Sequence, residues 1–299
     1  MAEIRFDGKV AIVTGAGGGL GRAHALELAR RGAKVVVNDL GGSVDGSGSS
    51  STAAAKVVEE IKAAGGEAIA NGSSVTDDAG VARMAADAMD AWGRIDILIA
   101  NAGVLRDKSF SKMEMADFEF VLNVHLIGTV KTAKAVFETM KEQNYGRIVV
   151  TTSSSGLYGN FGQTNYGAAK LGIIGFMNTL KLEGAKYNIH VNAIAPVAAT
   201  RMTEDLMPPE MSARLSPEHV TPGVVFLASE EAPSGSILAA GAGAFALVRI
   251  VETDGVFLTE ASAEGVRDAW PRISEEAGQR AYVTGGEQTQ KFFRKMSGG

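Results

Sequence analysis

The sequence contains no cysteine and only four histidines, and these absences exclude several kinds of chemistry. Without cysteine the chain has no disulfide, no thiolate nucleophile and no thiolate metal ligand, which fits a reducing compartment. His24, His125, His190 and His219 are scattered along the chain, without the spacing typical of a histidine metal site. We therefore expect no bound metal ion.

Long apolar runs and an excess of positive charge are also missing. No stretch of about 18 purely apolar residues suggests a membrane span, and the first residues lack the apolar region of a secretory signal. The net charge of −5 argues against a nucleic-acid partner. The C-terminal K-M-S-G-G carries no peroxisomal address of the S-K-L type. We expect a cytoplasmic protein that binds neither a membrane nor nucleic acid.

A glycine-rich turn near the N-terminus has the setting of a dinucleotide site. An apolar, β-branched run at 9–14 predicts a buried strand, and 22–31 predicts a helix. Between them, glycines let the backbone approach a pyrophosphate, and N–H groups at the helix start hold its charge. The candidate cofactor-binding residues of this turn are Gly15, Gly18, Gly19, Leu20 and Gly21.

The end of the second predicted strand, 33–38, supplies a candidate for cofactor choice. Asp39 follows Gly21 by eighteen residues, the distance at which an acid binds the adenosine ribose hydroxyls. Its charge would repel the 2′-phosphate of NADP, and the next residue, Leu40, offers no cation to attract it. We therefore predict NAD as the cofactor. The alternative is that Asp39 only begins a loop.

Further strands at 67–70 and 95–100 alternate with helices and predict a doubly wound parallel sheet. A Gly/Ser-rich loop at 41–52 either passes near the adenosine or is a plain connector. Ligands of such sheets bind at the carboxyl ends of the strands. The candidates at those ends are Ser74, Val75, Asn101, Ala102 and Gly103.

A tyrosine and a lysine four residues apart carry the predicted chemistry. Tyr166 and Lys170 share one helix face, and Ser153 precedes the tyrosine by thirteen residues. A lysine ammonium favours the phenolate and lowers the tyrosine pKa from about 10, which makes a better base. Ser153 can bind the same substrate oxygen. Alone, the pair also fits an exposed helix face, so its meaning depends on the motifs upstream.

Four motifs in order resemble the short-chain dehydrogenase/reductase family over about residues 5–245. They are T-G-A-G-G-G-L-G at 14–21, N-A-G at 101–103, Ser153 and Y-G-A-A-K at 166–170. The resemblance implies a Rossmann-like sheet of about seven parallel strands with helices on both faces. It also implies that Tyr166 is the acid/base, that Lys170 additionally binds the nicotinamide ribose, and that Ser153 orients the substrate.

Further segments resemble the (3R)-hydroxyacyl-CoA dehydrogenases of peroxisomal multifunctional β-oxidation enzymes, also known as 17β-hydroxysteroid dehydrogenases, and their bacterial stand-alone relatives. Among these segments are V-V-V-N-D-L-G-G at 35–42, A-G-V-L-R-D-K-S-F at 102–110 and G-N-F-G-Q-T-N-Y at 159–166. We expect the chain to carry no hydratase or sterol-carrier portion. The resemblance therefore implies only the dehydrogenase step.

Two positions depart from the wider family. His125 stands where the family places a catalytic asparagine, and the multifunctional enzymes resemble this chain there. Either His125 shapes the proton path, and we include it as a catalytic candidate, or it is packing. Ser73 stands where the family often carries an aspartate near the adenine, which leaves the adenine contacts open.

The second half of the chain predicts the remaining strands and the substrate side. A fifth strand at 146–152 delivers Ser153, and a sixth at 190–195 is closed by Pro196, another cofactor candidate. Methionines at 197–220 suit a lid over an apolar acyl chain, although two short packing helices fit equally. In the family, the helix from Tyr166 to Lys186 forms an interface, which implies a homodimer or homotetramer.

We expect residues 1–245 to form the dehydrogenase domain, with a seventh strand at 237–242, and residues 246–299 to form an extension. In the extension, T-D-G at 253–255 predicts a hairpin turn, and 262–277 predicts a helix. We expect the extension to pack on the same domain or on a dimer partner. We predict oxidation of a (3R)-hydroxyacyl-CoA with NAD; the alternatives are a hydroxysteroid or other small alcohol, or a nicotinamide-binding scaffold without activity.

Overall fold

Residues 2–50, 52–198 and 214–297 are described by a computed structural model of the chain. They form two units, Met1–Leu247 and Val248–Gly299. The predicted lid at 197–220 falls mostly on residues 199–213, which lie outside the described residues.

The first unit is built on one sheet of eight strands among the described residues, in the order β3-β2-β1-β4-β5-β6-β7-β8. Neighbours from β3 to β7 pair in parallel. The chain reverses its course across the sheet between β1 and β4, which confirms the predicted doubly wound fold. The strands are β1 Val10–Thr14, β2 Lys34–Asn38, β3 Ala68–Asn71, β4 Ile97–Ala100, β5 Gly146–Thr151, β6 Ile189–Val197, β7 Ile237–Gly241 and β8 Ala244–Val248.

The sheet has eight strands among the described residues, one more than predicted. The hairpin predicted at 253–255 is wrong, because the chain reverses earlier, between β7 and β8. Ala242 and Gly243 have φ of 50° and 78°, so they form a two-residue turn that reverses the chain after β7. The residues at 253–255 are irregular instead. The prediction that Pro196 closes β6 is also wrong, because the strand runs on to Val197. Beyond Ile194, β6 pairs only with β7, so a proline, which has no N–H to donate, is tolerated there.

Helices cover both faces of the sheet. α1 contacts α2 and α8, whereas α5 contacts α3 and α7 and packs on β4 and β5. Local signals set the bounds: the Asp77 carboxylate accepts from Gly80 N at the start of α3, and Gly93 in the left-handed region ends it. The helices are α1 Gly19–Arg30, α2 Thr52–Ala63, α3 Asp78–Trp92, α4 Met115–Leu122, α5 Gly128–Gln143, α6 Ser154–Tyr158, α7 Thr164–Gly184 and α8 Thr221–Leu227.

A π-helical turn, Asn123–Ile127, joins α4 to α5 without a break. The resulting stretch Met115–Gln143 is the one candidate membrane span by length and composition in the described part of the chain, with a mean hydropathy of 1.2. Its inner face is buried against β4 and β5. A core helix of this kind passes the same test, so the stretch is weak evidence for a membrane span.

The second unit contains two helices in its described part, α9 Ala263–Ile273 and α10 Gly285–Met296. α9 confirms the helix predicted at 262–277 but ends earlier, with Pro271 in its last turn. α10 was not predicted, because its sequence is mostly polar. The Lys291 ammonium in α10 is buried and donates to Glu252 Oε1 at 2.7 Å and to the Thr253 carbonyl at 2.5 Å.

Candidate active site

One cleft of about 610 Å³ opens at the carboxyl ends of β1, β2, β4, β5 and β6. The structure brings almost every candidate residue to this cleft, and Gly21 alone among the candidates stays off its lining. The candidates that line it are Gly15, Gly18, Gly19, Leu20, Asp39, Leu40, Ser74, Val75, Asn101, Ala102, Gly103, His125, Ser153, Tyr166, Lys170 and Pro196. Their individual roles remain predictions.

The glycine turn after β1 is shaped by positive backbone angles and by close packing. Gly15 and Gly19 have φ of 65° and 51°, which favour glycine. Gly21 lies behind the turn, where a Cβ atom would come within 2.2 Å of the Gly15 carbonyl. Gly18 caps α1 without a side-chain hydrogen bond, and the first turn of α1 carries no acid. The helix start therefore presents N–H groups to the cleft.

The Asp39 carboxylate joins the glycine turn to the loop that follows β2. Its Oδ2 accepts from the Gly17 N–H at 2.7 Å and its Oδ1 from the Gly41 N–H at 2.6 Å. A Cβ atom on Gly17 would lie 2.8 Å from this carboxylate, so glycine is needed there. Asp39 is thus held at the edge of the cleft with its charge fixed in place.

The Gly/Ser-rich loop folds back over the cleft, so it is more than a plain connector. The Leu105 N–H donates to the Val44 carbonyl at 3.0 Å. Gly46 has φ of 84°, and a Cβ atom there would lie 2.7 Å from the Phe120 ring. Four loop residues line the cleft: Gly42, Ser43, Val44 and Gly46.

The N-A-G segment after β4 is fixed to the end of β1. The Thr14 hydroxyl accepts from the N–H groups of Asn101 and Ala102 at 3.0 and 3.1 Å. The Asn101 side-chain amide donates to the carbonyls of Thr14 and Gly15 at 3.1 and 3.2 Å. The loops after β1 and β4, the two strands between which the chain reverses its course across the sheet, are therefore held in one fixed arrangement.

Ser153, Tyr166 and Lys170 meet at the floor of the cleft. Ser153 caps α6, and its Oγ accepts from the Ser155 N–H at 3.2 Å. The Lys170 Nζ lies 5.4 Å from the centroid of the Tyr166 ring and donates to the Thr151 carbonyl at 2.7 Å. This carbonyl could not be predicted from the sequence, because any residue at the end of β5 could provide it.

The pKa of Tyr166 departs from the sequence-based expectation. Burial raises it above its usual value, a hydrogen bond with Ser153 lowers it, and the charge of Asp107 raises it further. The expected lowering by Lys170 is absent, because Lys170 is itself buried and burial lowers its pKa to about 7. A buried lysine with so low a pKa carries less positive charge toward the phenol at neutral pH.

The His125 ring lines the cleft beside the ring of Tyr166. Its Nε2 lies 2.7 Å from the Val104 carbonyl and 3.1 Å from the Val104 nitrogen. Its Nδ1 is buried and makes no hydrogen bond with any residue that the structure describes. Burial, together with the charge of Lys170, lowers the pKa of His125 well below its usual value, so the ring is neutral. A Cβ atom on Gly103 would meet this ring at 2.2 Å.

A polar cluster on the open side of the cleft was missed by the sequence analysis. The Gln163 Oε1 accepts from Ser155 Oγ at 2.7 Å and from Asn160 Nδ2 at 3.0 Å, and its Nε2 donates to Asp107 Oδ2 at 2.5 Å. All four side chains line the cleft. Asp107, Asn160 and Gln163 occur in two of the segments that carry the closer resemblance, which was the available signal, whereas Ser155 lies outside those segments.

Comparison with known proteins agrees with this geometry. The profile of the short chain dehydrogenase family matches residues 9–210. The chain belongs to the short-chain dehydrogenase family. It is 50% identical over 271 residues to peroxisomal multifunctional enzyme A of Dictyostelium discoideum. The aligned residues cover 90% of this chain and 61% of that enzyme. The chain therefore spans less than two thirds of that relative.

Two solved structures are similar throughout. The full-length peroxisomal multifunctional enzyme type 2 from Drosophila melanogaster is 38% identical, with a TM-score of 0.82 over 97% of this chain and 50% of that chain. A short chain dehydrogenase from Mycobacterium avium is also 38% identical, with a TM-score of 0.78 over 91% of this chain and 97% of that chain. As a member of the family, the protein with the sequence printed above is an oxidoreductase that acts on CH–OH groups.

The residues of the cleft fit the nicotinamide dinucleotide, NAD or NADP, that this family uses. Gly15 and Gly19 leave room for a pyrophosphate beside the free N–H groups of α1. Asp39 lies at the edge where an adenosine ribose would bind. Tyr166 and Lys170 lie at the opposite end, beside the loop after β4. The dehydrogenase thus has donors for the phosphates and reactive groups at the far end of the same cleft.

Proposed function

We propose that this dehydrogenase oxidises (3R)-hydroxyacyl-CoA to 3-oxoacyl-CoA with NAD. The observation that carries the chemistry is the meeting of Ser153, Tyr166 and Lys170 in one cleft with the glycine turn. The substrate class is supported by the similarity to peroxisomal multifunctional enzymes along 90% of the chain. It also follows the resemblance of the 102–110 and 159–166 segments to (3R)-hydroxyacyl-CoA dehydrogenases.

In the proposed mechanism the chain's own groups handle the proton and the oxygen. Ser153 and Tyr166 bind the substrate hydroxyl, and Tyr166 takes its proton. A bound nicotinamide dinucleotide would supply the acceptor for the hydride from the carbon that carries this hydroxyl. Lys170 is held by the Thr151 carbonyl and faces the tyrosine. When Lys170 is protonated, its positive charge favours the phenolate of Tyr166. His125 packs behind Tyr166 and holds the Val104 backbone, so we assign it a positioning role.

NAD is the proposed cofactor because of the charge at the ribose end. Asp39 is fixed by two backbone N–H groups, so it cannot swing away from an incoming 2′-phosphate. Repulsion between two such charges in a partly buried site disfavours NADP. Leu40 is exposed beside it and supplies no compensating cation.

We also propose that copies of the chain associate through α7. α7, which carries Tyr166 and Lys170, also exposes Leu171 and Leu182. Exposed apolar side chains on a long helix support a homodimer or homotetramer built through this face. We propose a cytoplasmic homo-oligomer that acts on a small-molecule thioester.

The test compares three substrates with purified protein and NAD: a (3R)-hydroxyacyl-CoA, its 3S isomer and a 17β-hydroxysteroid. We expect NADH to form with the 3R thioester alone. Oxidation of the steroid alone would keep the mechanism and contradict the substrate. Tight NADH binding without oxidation of any of the three would favour another small alcohol or a scaffold without activity.

A further inference from the structure

The polar cluster around Gln163 places one negative charge on the substrate side of the cleft. Asp107 is exposed there, and its Oδ2 accepts from Gln163 Nε2 at 2.5 Å. Gln163 precedes α7, three residues before Tyr166, so the cluster lies close to the reacting oxygen. The charge of Asp107 also reaches Tyr166, whose pKa is raised first by burial and then by this carboxylate.

The charge of Asp107 is not balanced by an ion pair with any described residue. Its sequence neighbours Arg106 and Lys108 both bind Asp117 instead, at 2.8 and 3.2 Å, and neither lines the cleft. Among the described residues that line the cleft, the other charged side chains are Asp39 at the ribose end and Lys170. Lys170 is only 3% exposed and is bound to the Thr151 carbonyl, so an entering anion meets Asp107 first.

We propose that Asp107 makes the enzyme select 3-hydroxyacyl thioesters over the corresponding free 3-hydroxy acids. This inference rests on the proposed function. In a free acid, a carboxylate lies two bonds from the carbon that is oxidised, and the proposal places it on the side of the cleft that Asp107 lines. A thioester carbonyl at the same position is neutral and can accept hydrogen bonds from the cluster instead. Two like charges a few ångströms apart repel even at an exposed position, and a tenfold discrimination needs only about 1.4 kcal/mol.

The first test is kinetic and uses a matched pair of substrates, (3R)-3-hydroxybutanoate and its N-acetylcysteamine thioester. Asp107→Asn keeps an acceptor for Gln163 and removes the charge. We expect the ratio of kcat/KM for the acid to kcat/KM for the thioester to rise about tenfold, and the wild-type ratio to rise with added salt. Asp90→Asn, which removes an exposed carboxylate from α3, should leave the ratio unchanged.

A second variant distinguishes the effect of the Asp107 charge from a purely structural role of the cluster. Gln163→Met breaks the contact with Asp107 but keeps the charge, so both substrates should lose kcat/KM by the same factor and their ratio should stay. An unchanged ratio in Asp107→Asn, whether or not this variant loses kcat/KM equally with both substrates, would overturn the proposal.

A binding measurement separates this proposal from the proposed function. Calorimetry with the NAD-loaded enzyme, which cannot reduce a ketone, would compare 3-oxobutanoate with its neutral methyl ester. We expect Asp107→Asn to bind the anion about tenfold more tightly relative to the ester than the wild type does. If the wild type oxidises no hydroxyacyl thioester, the proposed function fails, and the binding comparison still decides the role of Asp107. Equal preference in the two proteins would refute it.

Discussion

The imidazole ring of His125 stands edge-on against the phenol ring of Tyr166, with ring centroids 5.0 Å apart and planes at 89°. The π-helical turn places His125 there, and such turns often occur at functional sites. The ring is neutral and hydrogen-bonds the Val104 backbone, so it can fix both the tyrosine and the loop after β4. We therefore expect it to act through the position of Tyr166.

Replacing His125 tests this positioning role. His125→Leu keeps the bulk but leaves the Val104 backbone group unpaired, so we expect kcat to fall roughly 10- to 100-fold with little change in KM. His125→Asn can restore one hydrogen bond and should lose less. Steady-state kinetics and Tm would be measured for both variants. A His125→Leu variant with a lowered Tm and an unchanged kcat would show that the residue only stabilises the fold.

Gly103 leaves the space that the His125 ring occupies. In Gly103→Ala the new Cβ atom would overlap Cε1 of that ring at 2.2 Å, so the ring must move. We expect a loss of about 1–3 kcal/mol in the free energy of unfolding and a clear fall in kcat. Gly72→Ala is the matched control, because its Cβ atom would meet nothing within 4 Å. Equal behaviour of the two variants in urea unfolding would contradict the tight packing.

The choice between NAD and NADP should depend on the charge of Asp39. Asp39→Asn keeps the shape and one acceptor oxygen for the backbone, but it removes the repulsion of a 2′-phosphate. We expect the ratio of kcat/KM for NAD to kcat/KM for NADP to fall roughly 10- to 100-fold, mainly through a lower KM for NADP. A preference that stays unchanged in this variant would mean that other residues select the cofactor.

Lys170 should impose a pH dependence on the stability of the free enzyme. Its pKa is about 7 in the fold against 10.5 unperturbed, so between these values the unfolded chain binds more protons. The free energy of unfolding should therefore rise with pH across this window, and the burial penalty is largest below pH 7. Lys170→Met should remove this part of the rise, roughly 2–4 kcal/mol in total.

Urea unfolding at several pH values, without cofactor, measures the Lys170 effect. The control is Lys56→Met, which removes an exposed lysine from α2 and should keep the wild-type slope. A wild-type slope in Lys170→Met would show that Lys170 keeps an ordinary pKa in the fold.

Much of the site could be predicted because its residues follow strand ends. Asp39, Asn101 and Ser153 each come directly or nearly directly after a strand, and parallel strands bring their carboxyl ends together. Tyr166 and Lys170 share a helix face by spacing alone. For these residues, local pattern and topology determine the position.

Other features depend on contacts that no local pattern encodes. The Thr151 carbonyl binds Lys170 through its backbone, and Asp107 and Gln163 meet across 56 residues of sequence. The pKa of Tyr166 is raised because burial outweighs the hydrogen bond from Ser153, and burial depends on the whole fold. The hairpin was predicted at the wrong turn because Ala242, which is not a typical turn residue, adopts a positive φ there.

The most direct test of the account follows the hydride and the tyrosine together. A (3R)-hydroxybutanoyl-CoA with deuterium on C3 would be oxidised by the wild type and by Tyr166→Phe, with mass spectrometry of the recovered cofactor. We predict deuterium in the cofactor for the wild type, and in the variant a loss of turnover of about a thousandfold or more with NAD binding nearly intact. Turnover without deuterium in the cofactor, or an active Tyr166→Phe variant, would contradict the account.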